Sequence, residues 1–323
     1  MEQIVNRKDK IHIMKKIQMV DLSSQYHKIK GEIDEAVNKV IESTAFINGP
    51  ETKLFATELA SYLDVKHVIP CGNGTDALQL SMMALDLQPG DEIITTTFTF
   101  IATAEVIALL KLKPVLVDIQ PNTFNIDIEA IKNAITIRTK AIVPVHLFGQ
   151  CANMEEIIKI AREYDLYVIE DACQAIGAEG FFSDEAVKKA GTIGDLGVTS
   201  FFPSKNLGCY GDGGAVFTND DTLADKVRML ANHGSSVKYY HDYVGVNSRL
   251  DSIQAAILRV KLRYLDQYNK ARQEAAEKYN KRFEGCNKLI TPHISAYSTH
   301  VFHQYTLTTR DVDRDKLLAH LNS

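Results

Sequence analysis

The chain has 323 residues, of which 45% are hydrophobic and 24% are charged, close to the averages for globular proteins. This composition excludes a disordered chain, a collagen-like repeat and a coiled-coil rod as the main architecture. The chain has 36 Lys and Arg residues and 41 Asp and Glu residues, which gives a net charge of −5. This slight acidic excess argues against a protein that wraps around a nucleic acid and against a polybasic membrane anchor.

A polar leader over 1–18 precedes the first predicted elements. Apolar residues at helical spacing predict helices over 25–42 and 51–62, which Asn48-Gly49-Pro50 separates. Short apolar runs, typical of buried parallel strands, then alternate with helical patterns. The predicted strands are 67–71, 92–97, 114–119, 141–145 and 166–170, and the predicted helices are 77–85, 102–112, 128–134 and 154–164. This alternation predicts an α/β fold with a mostly parallel open sheet and helices on both faces.

The pattern changes after Gly191. Two strands are predicted at 198–202 and 214–218, joined by a Gly-rich loop, and a helix follows at 223–231.

The C-terminal part shows fewer elements. A stretch without Gly or Pro over 250–283 predicts one helix of about 50 Å that crosses between domains. Beyond it, only a strand at 304–309 and a helix at 314–321 are predicted, too little for an independent core. We therefore expect a large domain over 19–265 and a small, truncated α+β domain over 266–323.

The cysteines indicate the compartment. There are five, far apart and without a C-x-x-C pair, which is a poor disulfide framework and favours a reducing cytosol. The N-terminal residues lack the apolar stretch of a signal peptide, and no run of about 18 apolar residues predicts a membrane span. We expect a cytoplasmic protein with no metal ligands and with neither a nucleic acid nor a membrane as partner.

In open α/β sheets the ligand lies beyond the carboxyl ends of the strands, so residues at those ends are candidates. The segment 72–75, Gly-Asn-Gly-Thr, opens a helix after the first strand, where free N–H groups and the helix dipole suit a phosphate. An ordinary helix cap is the alternative. The segment also fits the dinucleotide-binding fingerprint G-x-G-x-x-A. That fingerprint requires an acidic residue at the end of the second strand, whereas Asp91 and Glu92 lie at the start of that strand, which argues against dinucleotide binding.

Three other strand ends carry candidate groups. Phe100 could lie flat on a planar cofactor, although most Phe residues belong to a core. Asp171 ends a buried strand, where a carboxylate needs a cation such as a protonated pyridine nitrogen; a structural ion pair or a cap is the alternative. For His146, a substrate contact and a hydrogen-bonded structural role are equally open.

Lys205 is the candidate nucleophile. It follows Phe201 and Phe202 at the mouth of the Gly-rich loop, and apolar surroundings lower the pKa of an amine. Ser200 offers a hydroxyl to a phosphate, and Arg249 offers either a clamp for an anionic substrate or a surface salt bridge. A single lysine is usually a solvated charge. Together, however, the phosphate loop, aromatic, carboxylate and lysine describe a pocket for pyridoxal 5′-phosphate (PLP).

The chain resembles the PLP-dependent nucleotide-sugar aminotransferases of the DegT family from about residue 17 onward. The matching stretches are CGNGTDAL, TFTFIATA, VIEDACQAIGA, SFFPSKNLGCYGDGGA and GVNSRLDSIQAA. The last two are most similar to the subgroup that acts on a UDP-linked 3-keto N-acetylhexosaminuronic acid for bacterial surface polysaccharides such as O-antigen. The resemblance implies the fold-type I PLP architecture and a homodimer.

The resemblance also implies roles at the cofactor ring. Lys205 matches the Schiff-base lysine, and Asp171 matches the partner of the pyridine nitrogen. Gln174 matches a residue beside the phenolic oxygen, and Phe100 matches the aromatic that stacks on the ring. A dehydratase branch of the family has histidine at the lysine position, so Lys205 argues against that branch.

Other matches concern the phosphate and the substrate. Gly74, Thr75 and Ser200 match phosphate contacts. Asn247 matches an asparagine that reaches the phosphate from the second subunit, and Arg249 is its neighbour on the substrate. Family members usually continue for several dozen further residues that help to line the substrate site, which supports the expectation of a truncated small domain.

The predicted function is ping-pong transamination, with glutamate as amino donor and a UDP-linked keto-sugar as acceptor. Lys205 would carry PLP and move the proton as general acid/base. Two alternatives are a nucleotide-dependent oxidoreductase that uses the 72–75 loop, and a PLP- or sugar-nucleotide-binding protein without turnover.

Overall fold

The computed structural model describes residues 18–237 and 239–322, so residues 1–17 of the predicted leader lie outside it. Its helices are α1 Leu22–Ser43, α2 Pro50–Leu63, α3 Gly74–Ala84, α4 Ala102–Leu109, α5 Ile128–Ala134, α6 Met154–Tyr164, α7 Asp221–Leu230, α8 Ser252–Leu262, α9 Leu265–Phe283 and α10 Arg314–Asn322. Its strands are β1 His67–Cys71, β2 Glu92–Thr96, β3 Lys113–Val117, β4 Thr139–Val143, β5 Tyr167–Asp171, β6 Glu179–Phe181, β7 Val187–Lys189, β8 Leu196–Ser200, β9 Gly214–Thr218, β10 Ser235–Val237, β11 Tyr240–His241, β12 Leu289–Ile290 and β13 Thr308–Thr309. No helix in these ranges is long and apolar enough to cross a membrane.

Seven strands form the central sheet, in the order β1-β9-β8-β5-β4-β2-β3. Only β9 runs against its neighbours, pairing antiparallel with both β1 and β8. The other six strands therefore point the same way and end at one edge, where β9 begins. The prediction of a mostly parallel open sheet is confirmed, and this edge gathers the ends of β1, β2, β5 and β8.

Helices cover both faces of the sheet, as predicted. On one face, α3, α4 and α7 bury residues such as Leu80 and Val106 against Ile93 and Val143. On the other face, α5 and α6 cover β3, β4 and β5, while α2 and α8 cover β1 and β9. Burying apolar side chains at about 25 cal/mol per Å² makes these two layers the main source of stability, and it fixes the sheet edge as a rigid platform.

The single long helix predicted over 250–283 is two helices. The helical path breaks between α8 and α9, at Arg263 and Tyr264, although neither Gly nor Pro is present. Both side chains reach Glu32 on α1, Arg263 Nη2 at 2.5 Å and Tyr264 through its hydroxyl. The buried helix α8 packs against α1 and α2, and the more polar α9 follows the break.

The C-terminal strand is also shorter than predicted. Only β13, at the end of the predicted 304–309 strand, pairs with β12. The residues before it bond instead to the turn after β4, with Val301 N–H donating to Gly149 O at 2.8 Å and Gln304 N–H to Phe148 O at 3.3 Å. The domain boundary at 265 stays a prediction; α9 begins there.

Candidate active site

The shared sheet edge opens on a cavity of about 560 Å³. Seven of the ten predicted site residues line it, namely Gly74, Thr75, Phe100, Asp171, Gln174, Ser200 and Lys205. They come from four separate strand ends, so the fold brings together residues up to 131 positions apart in sequence. Three predicted residues do not line the cavity: His146, Asn247 and Arg249.

The N-terminus of α3 forms one wall. Asn73, in extended backbone conformation, caps the helix by accepting the Asp76 N–H at 2.8 Å through its side chain. Gly74 and Thr75 are the first helical residues, and N–H groups in a first turn have no intrahelical acceptor. Together with the positive end of the helix dipole, these groups suit a phosphate.

Gly74 is needed because α3 touches the end of β8. A Cβ at this position would lie 2.8 Å from Ser200 Cβ and 3.1 Å from Cys173 Sγ. The first distance is below any normal carbon–carbon contact, and Ser200 Cβ is fixed to the sheet. A side chain on residue 74 would therefore move the helix start away from β8.

We predict that Gly74→Ala weakens PLP binding by at least about tenfold while the protein stays folded, because the displaced N–H groups no longer converge on the phosphate. Equilibrium titration of cofactor-free protein with PLP measures this. Gly31→Ala is the matched control, since a Cβ there meets nothing within 4 Å. Unchanged affinity in Gly74→Ala would contradict the assignment of this helix start to the phosphate.

Asp171 ends β5 and is 6% exposed. Its oxygens accept hydrogen bonds from Thr103 Oγ1 at 2.9 Å and from the Cys173 N–H at 3.2 Å. Within residues 18–237 and 239–322, no cation forms an ion pair with it. A buried carboxylate without a cation is costly, and one that faces a cavity is suited to a protonated pyridine nitrogen.

Thr103 was not among the sequence-predicted residues. It lies in the first turn of α4, is 1% exposed and lines the same cavity. Its hydroxyl fixes one oxygen of Asp171. The sequence did contain one indication of this role, because Thr103 is a hydroxyl residue in the first turn of a helix that starts at the ligand edge of the sheet.

The predicted substrate contact of His146 is wrong. The ring is fully buried; its Nε2 lies 2.8 Å from Glu170 Oε2, and its Nδ1 accepts the Ala152 N–H at 3.1 Å. Glu170 also accepts three backbone N–H groups, from Gly191, Ile193 and Gly194. Both ring nitrogens are therefore occupied, and the structural alternative describes His146.

Lys205 is half-buried and reaches the cavity beside Phe202 and Ser204. Its backbone N–H donates to Phe202 O at 2.8 Å, which closes a turn directly after β8. Phe201 points the other way: it is fully buried and packs edge to face on Phe55, with ring centroids 5.3 Å apart. Of the two phenylalanines, one anchors the turn in the core and the other adjoins the lysine.

Gln174 is oriented by an unusual turn. Its Oε1 accepts the Phe148 N–H at 2.8 Å, so the amide Nε2 is the group left to donate into the cavity. Phe148 has a φ of +59°, which non-glycine residues rarely adopt. Its ring packs against Phe98 and Phe124 at centroid distances of 6.2 and 5.6 Å. A fixed donor at this place suits a phenolic oxygen.

Asn247 and Arg249 flank a residue that binds the phosphate loop from outside. Ser248 is 2% exposed; its Oγ accepts the Gly72 N–H at 2.9 Å and donates to Asp76 Oδ2 at 2.6 Å. Asn247 is exposed and Arg249 is half-buried. Sequence reasoning missed Ser248, whose inward position turns Asn247 to the protein surface.

The residues present fit PLP. The α3 N-terminus suits its phosphate, Asp171 its pyridine nitrogen, the Gln174 amide its phenolic oxygen, and Lys205 its aldehyde carbon. Phe100, 70% exposed at the cavity edge, is placed to cover the ring. When bound, PLP supplies an electron sink for the carbon that carries the transferred amino group.

Comparisons with known proteins identify the family. The DegT/DnrJ/EryC1/StrS aminotransferase family model matches residues 27–323. A "Pleiotropic regulatory protein" of Geobacillus stearothermophilus is 48% identical over 307 residues, covering 94% of this chain and 81% of that protein. The UDP-2-acetamido-2-deoxy-3-oxo-D-glucuronate aminotransferase of Pseudomonas aeruginosa is 46% identical over 307 residues, covering 95% and 83%.

A solved structure shows the same fold. NtdA from Bacillus subtilis, with bound cofactor PMP, superposes with a TM-score of 0.87 at 33% identity and covers 98% of this chain and 72% of that one. The family resemblance, the fold-type I architecture and the PLP cofactor predicted from five motifs are confirmed. The chain belongs to the DegT/DnrJ/EryC1/StrS aminotransferase family and is a PLP-dependent aminotransferase.

Proposed function

We propose that this enzyme moves an amino group from glutamate to the 3-keto group of a UDP-linked N-acetylhexosaminuronic acid, in the cytoplasm, for synthesis of a bacterial surface polysaccharide such as O-antigen. The observation that carries the proposal is the convergence of Lys205 and Asp171 on one cavity. The sugar is supported by the 46% identical relative whose name specifies a UDP-linked 3-oxo-glucuronate.

The geometry supports the proposed roles. Lys205 lies in the cavity, where its amine can hold PLP and later move a proton as general acid/base. Asp171, fixed by the Thr103 hydroxyl, keeps the proton on the pyridine nitrogen. Gly74, Thr75 and the Ser200 hydroxyl, which line the same cavity, would hold the phosphate. Asp171 and the phosphate contacts would hold the cofactor, while the Lys205 amine remains free to act.

A homodimer is the second part of the proposal. Large apolar side chains are exposed where the cavity opens, with Phe98 at 46%, Phe100 at 70% and Ile101 at 63%. In the segment before Asn247, Val244 is 90% exposed. Exposed apolar surface of this kind marks an interface, and a two-fold axis lets each subunit complete the other. We infer that Asn247 of the partner subunit reaches the phosphate, with Arg249 of the partner subunit on the substrate.

We predict that two inactive variants complement each other. Mixing Lys205→Ala with Asn247→Asp, whose carboxylate repels phosphate, gives mixed dimers with one doubly defective site and one intact site. Random subunit exchange should restore about a quarter of wild-type activity, since half of the dimers are mixed and half of their sites are intact. A confirmed heterodimer without activity, or a monomer that binds PLP with unchanged affinity, would overturn the shared site.

The substrate is tested with a panel of UDP- and dTDP-linked keto-sugars, each offered with glutamate. We expect 2-oxoglutarate release and an amino-sugar product with the UDP-linked 3-keto uronic acid, and at least about tenfold lower kcat/KM with the others. Preference for a dTDP-sugar would overturn the assigned substrate. Binding of PLP and sugar nucleotide without any turnover would favour the non-catalytic alternative.

A further inference from the structure

The side-chain amide of Gln174 has a fixed orientation in the cavity wall. A glutamine amide accepts hydrogen bonds at one end and donates them at the other. Its Oε1 accepts the Phe148 N–H at 2.8 Å, and a reversed amide would place an N–H against this N–H. Its Nε2 donates to no residue within 18–237 and 239–322, and Gln174 lines the same cavity as Lys205. The turn that carries Phe148 therefore decides which group of Gln174 a ligand meets.

Phe148 has a backbone conformation that needs support. Its φ is +59° and Gly149 follows with a φ of +111°. A residue with a side chain in the left-handed region costs free energy, and it stays there only where neighbouring contacts stabilise it. The Leu147 N–H donates to Asn125 Oδ1 at 3.2 Å, and the Phe148 ring packs on the Phe124 ring with centroids 5.6 Å apart. These contacts hold the start of the turn.

Residues 301–304, which we call the strap, hold the end of this turn. The Val301 N–H donates to Gly149 O at 2.8 Å, and the Gln304 N–H donates to Phe148 O at 3.3 Å. The two backbones lie so close together that a Cβ on Gly149 would be 3.0 Å from two amide nitrogens of the strap. A side chain at residue 149 would therefore push the strap away from the turn.

The strap is also bonded to the turn that carries Lys205. Asn206, the next residue and 4% exposed, donates through Nδ2 to Val301 O at 3.0 Å. Arg272, on α9, donates through Nη1 to Phe302 O at 3.2 Å. One short segment from the C-terminal part of the chain thus contacts both the turn after β8 and the turn that orients Gln174.

We propose that Gly149 is a positioning residue for Gln174: with the strap packed on it, it keeps the Phe148 turn in the conformation that points the amide donor at the phenolic oxygen of PLP. The proposal rests on the proposed roles of Lys205 and Gln174 at the cofactor. A donor there stabilises the negative charge of the oxygen most when no proton on the lysine-linked nitrogen shares that charge. The donor therefore lowers the pKa of that nitrogen.

The test is the colour of the PLP-loaded protein as a function of pH, which reports this pKa and needs no turnover. Gln174→Leu removes the donor, and we expect the pKa to rise by about one unit, a tenfold change in proton affinity. Gly149→Ala keeps Gln174 but displaces the strap, and it should raise the pKa by about half a unit or more. In the double variant, Gly149→Ala should add nothing to the effect of Gln174→Leu, because it acts only through that side chain.

Two further variants separate positioning from folding. Gly90→Ala is the matched control: Gly90 has a φ of +93° and a Cβ there meets nothing within 4 Å, so the variant strains the backbone without displacing a neighbour. It should lower Tm and leave the pKa unchanged. Arg272→Met removes a bond to the strap and gives a second result if Gly149→Ala does not fold. It should raise the pKa, and by less when combined with Gln174→Leu, where only the effect of the lost charge remains.

The proposal is overturned if Gln174→Leu or Gly149→Ala leaves the pKa at the wild-type value, if Gly149→Ala shifts it equally with and without Gln174, or if Gly90→Ala shifts it as far. If Gly149→Ala does not fold, an Arg272→Met shift that is independent of Gln174 overturns it. A failure of the proposed function looks different. If another lysine carried PLP, borohydride would fix the cofactor to that lysine, and a different acceptor sugar would leave the colour titration unchanged.

Discussion

Lys205→Ala is expected to lose both the covalent attachment of PLP and at least about 10⁴-fold in turnover, because one substitution removes the nucleophile and the general acid/base. The wild-type protein should be yellow, and borohydride should bleach it while fixing the cofactor to the peptide that contains Lys205. The variant should bind PLP reversibly through the phosphate site and release all of it after the same treatment. Absorbance spectra and peptide mass spectrometry measure both results.

Lys261 provides the matched control for this experiment. It is buried on α8, its ammonium group bonds to Gly208 O and lies 5.1 Å from the centroid of the Tyr210 ring, and burial lowers its pKa to about 8. A buried lysine with a lowered pKa is the other candidate for a Schiff base, but it does not line the cavity. Lys261→Met should keep the reducible colour. If the reducible colour were lost in Lys261→Met and kept in Lys205→Ala, Lys205 would not be the residue that attaches PLP.

Asp171→Asn is expected to reduce turnover by about 10⁴-fold, the size of effect seen when a buried orienting carboxylate is neutralised. Asparagine keeps the shape of the side chain but cannot stabilise a proton on the pyridine nitrogen, so the ring no longer acts as an electron sink. PLP should still bind, less tightly, because the phosphate site is untouched. Single-turnover rates with glutamate measure the chemical step separately from binding.

A graded variant strengthens this test. Thr103→Val removes the 2.9 Å hydrogen bond to Asp171 and leaves the carboxylate in place. Loss of one hydrogen bond to a charged group, about 1.5–3 kcal/mol, should reduce turnover by roughly 10- to 100-fold. Near-normal turnover in Asp171→Asn would mean that another residue stabilises the pyridine nitrogen.

Local patterns predicted the sheet and the residues at its edge. The β1 and β9 strands and the α5 and α6 helices have the bounds that the sequence predicts, because apolar runs and helical spacing report directly on burial. The candidate site followed from a topological rule: ligands bind at the carboxyl ends of parallel strands. Seven residues at those ends do line one cavity.

What local patterns could not show depends on contacts between distant residues. The break between α8 and α9 lies at Arg263 and Tyr264, whose side chains bond to Glu32, more than 230 positions earlier. Whether His146 is a structural residue or a substrate contact depended on Glu170 and on the Ala152 N–H, which together occupy both ring nitrogens. A strand-end histidine looks the same in sequence whether it faces a ligand or a buried carboxylate.

The roles of Thr103 and Ser248 were missed for a related reason. Each acts through hydrogen bonds of its hydroxyl group to residues distant in sequence, and residue type and spacing do not encode such contacts. Ser248 illustrates this: it lies within a motif that suggested Asn247 and Arg249, yet it is the buried residue of the three and the one that joins the phosphate loop. Only the folded backbone shows which side chain of such a triplet points inward.

Transfer of the nitrogen itself is the most direct measurement. The purified chain, loaded with PLP, is incubated with ¹⁵N-glutamate and a UDP-linked 3-keto N-acetylhexosaminuronic acid, and the products are analysed by NMR and mass spectrometry. We expect 2-oxoglutarate and a sugar nucleotide that carries ¹⁵N on C3, with no transfer by Lys205→Ala. A sugar that is recovered without ¹⁵N, from wild-type protein with PLP bound at Lys205, would contradict amino transfer to this substrate.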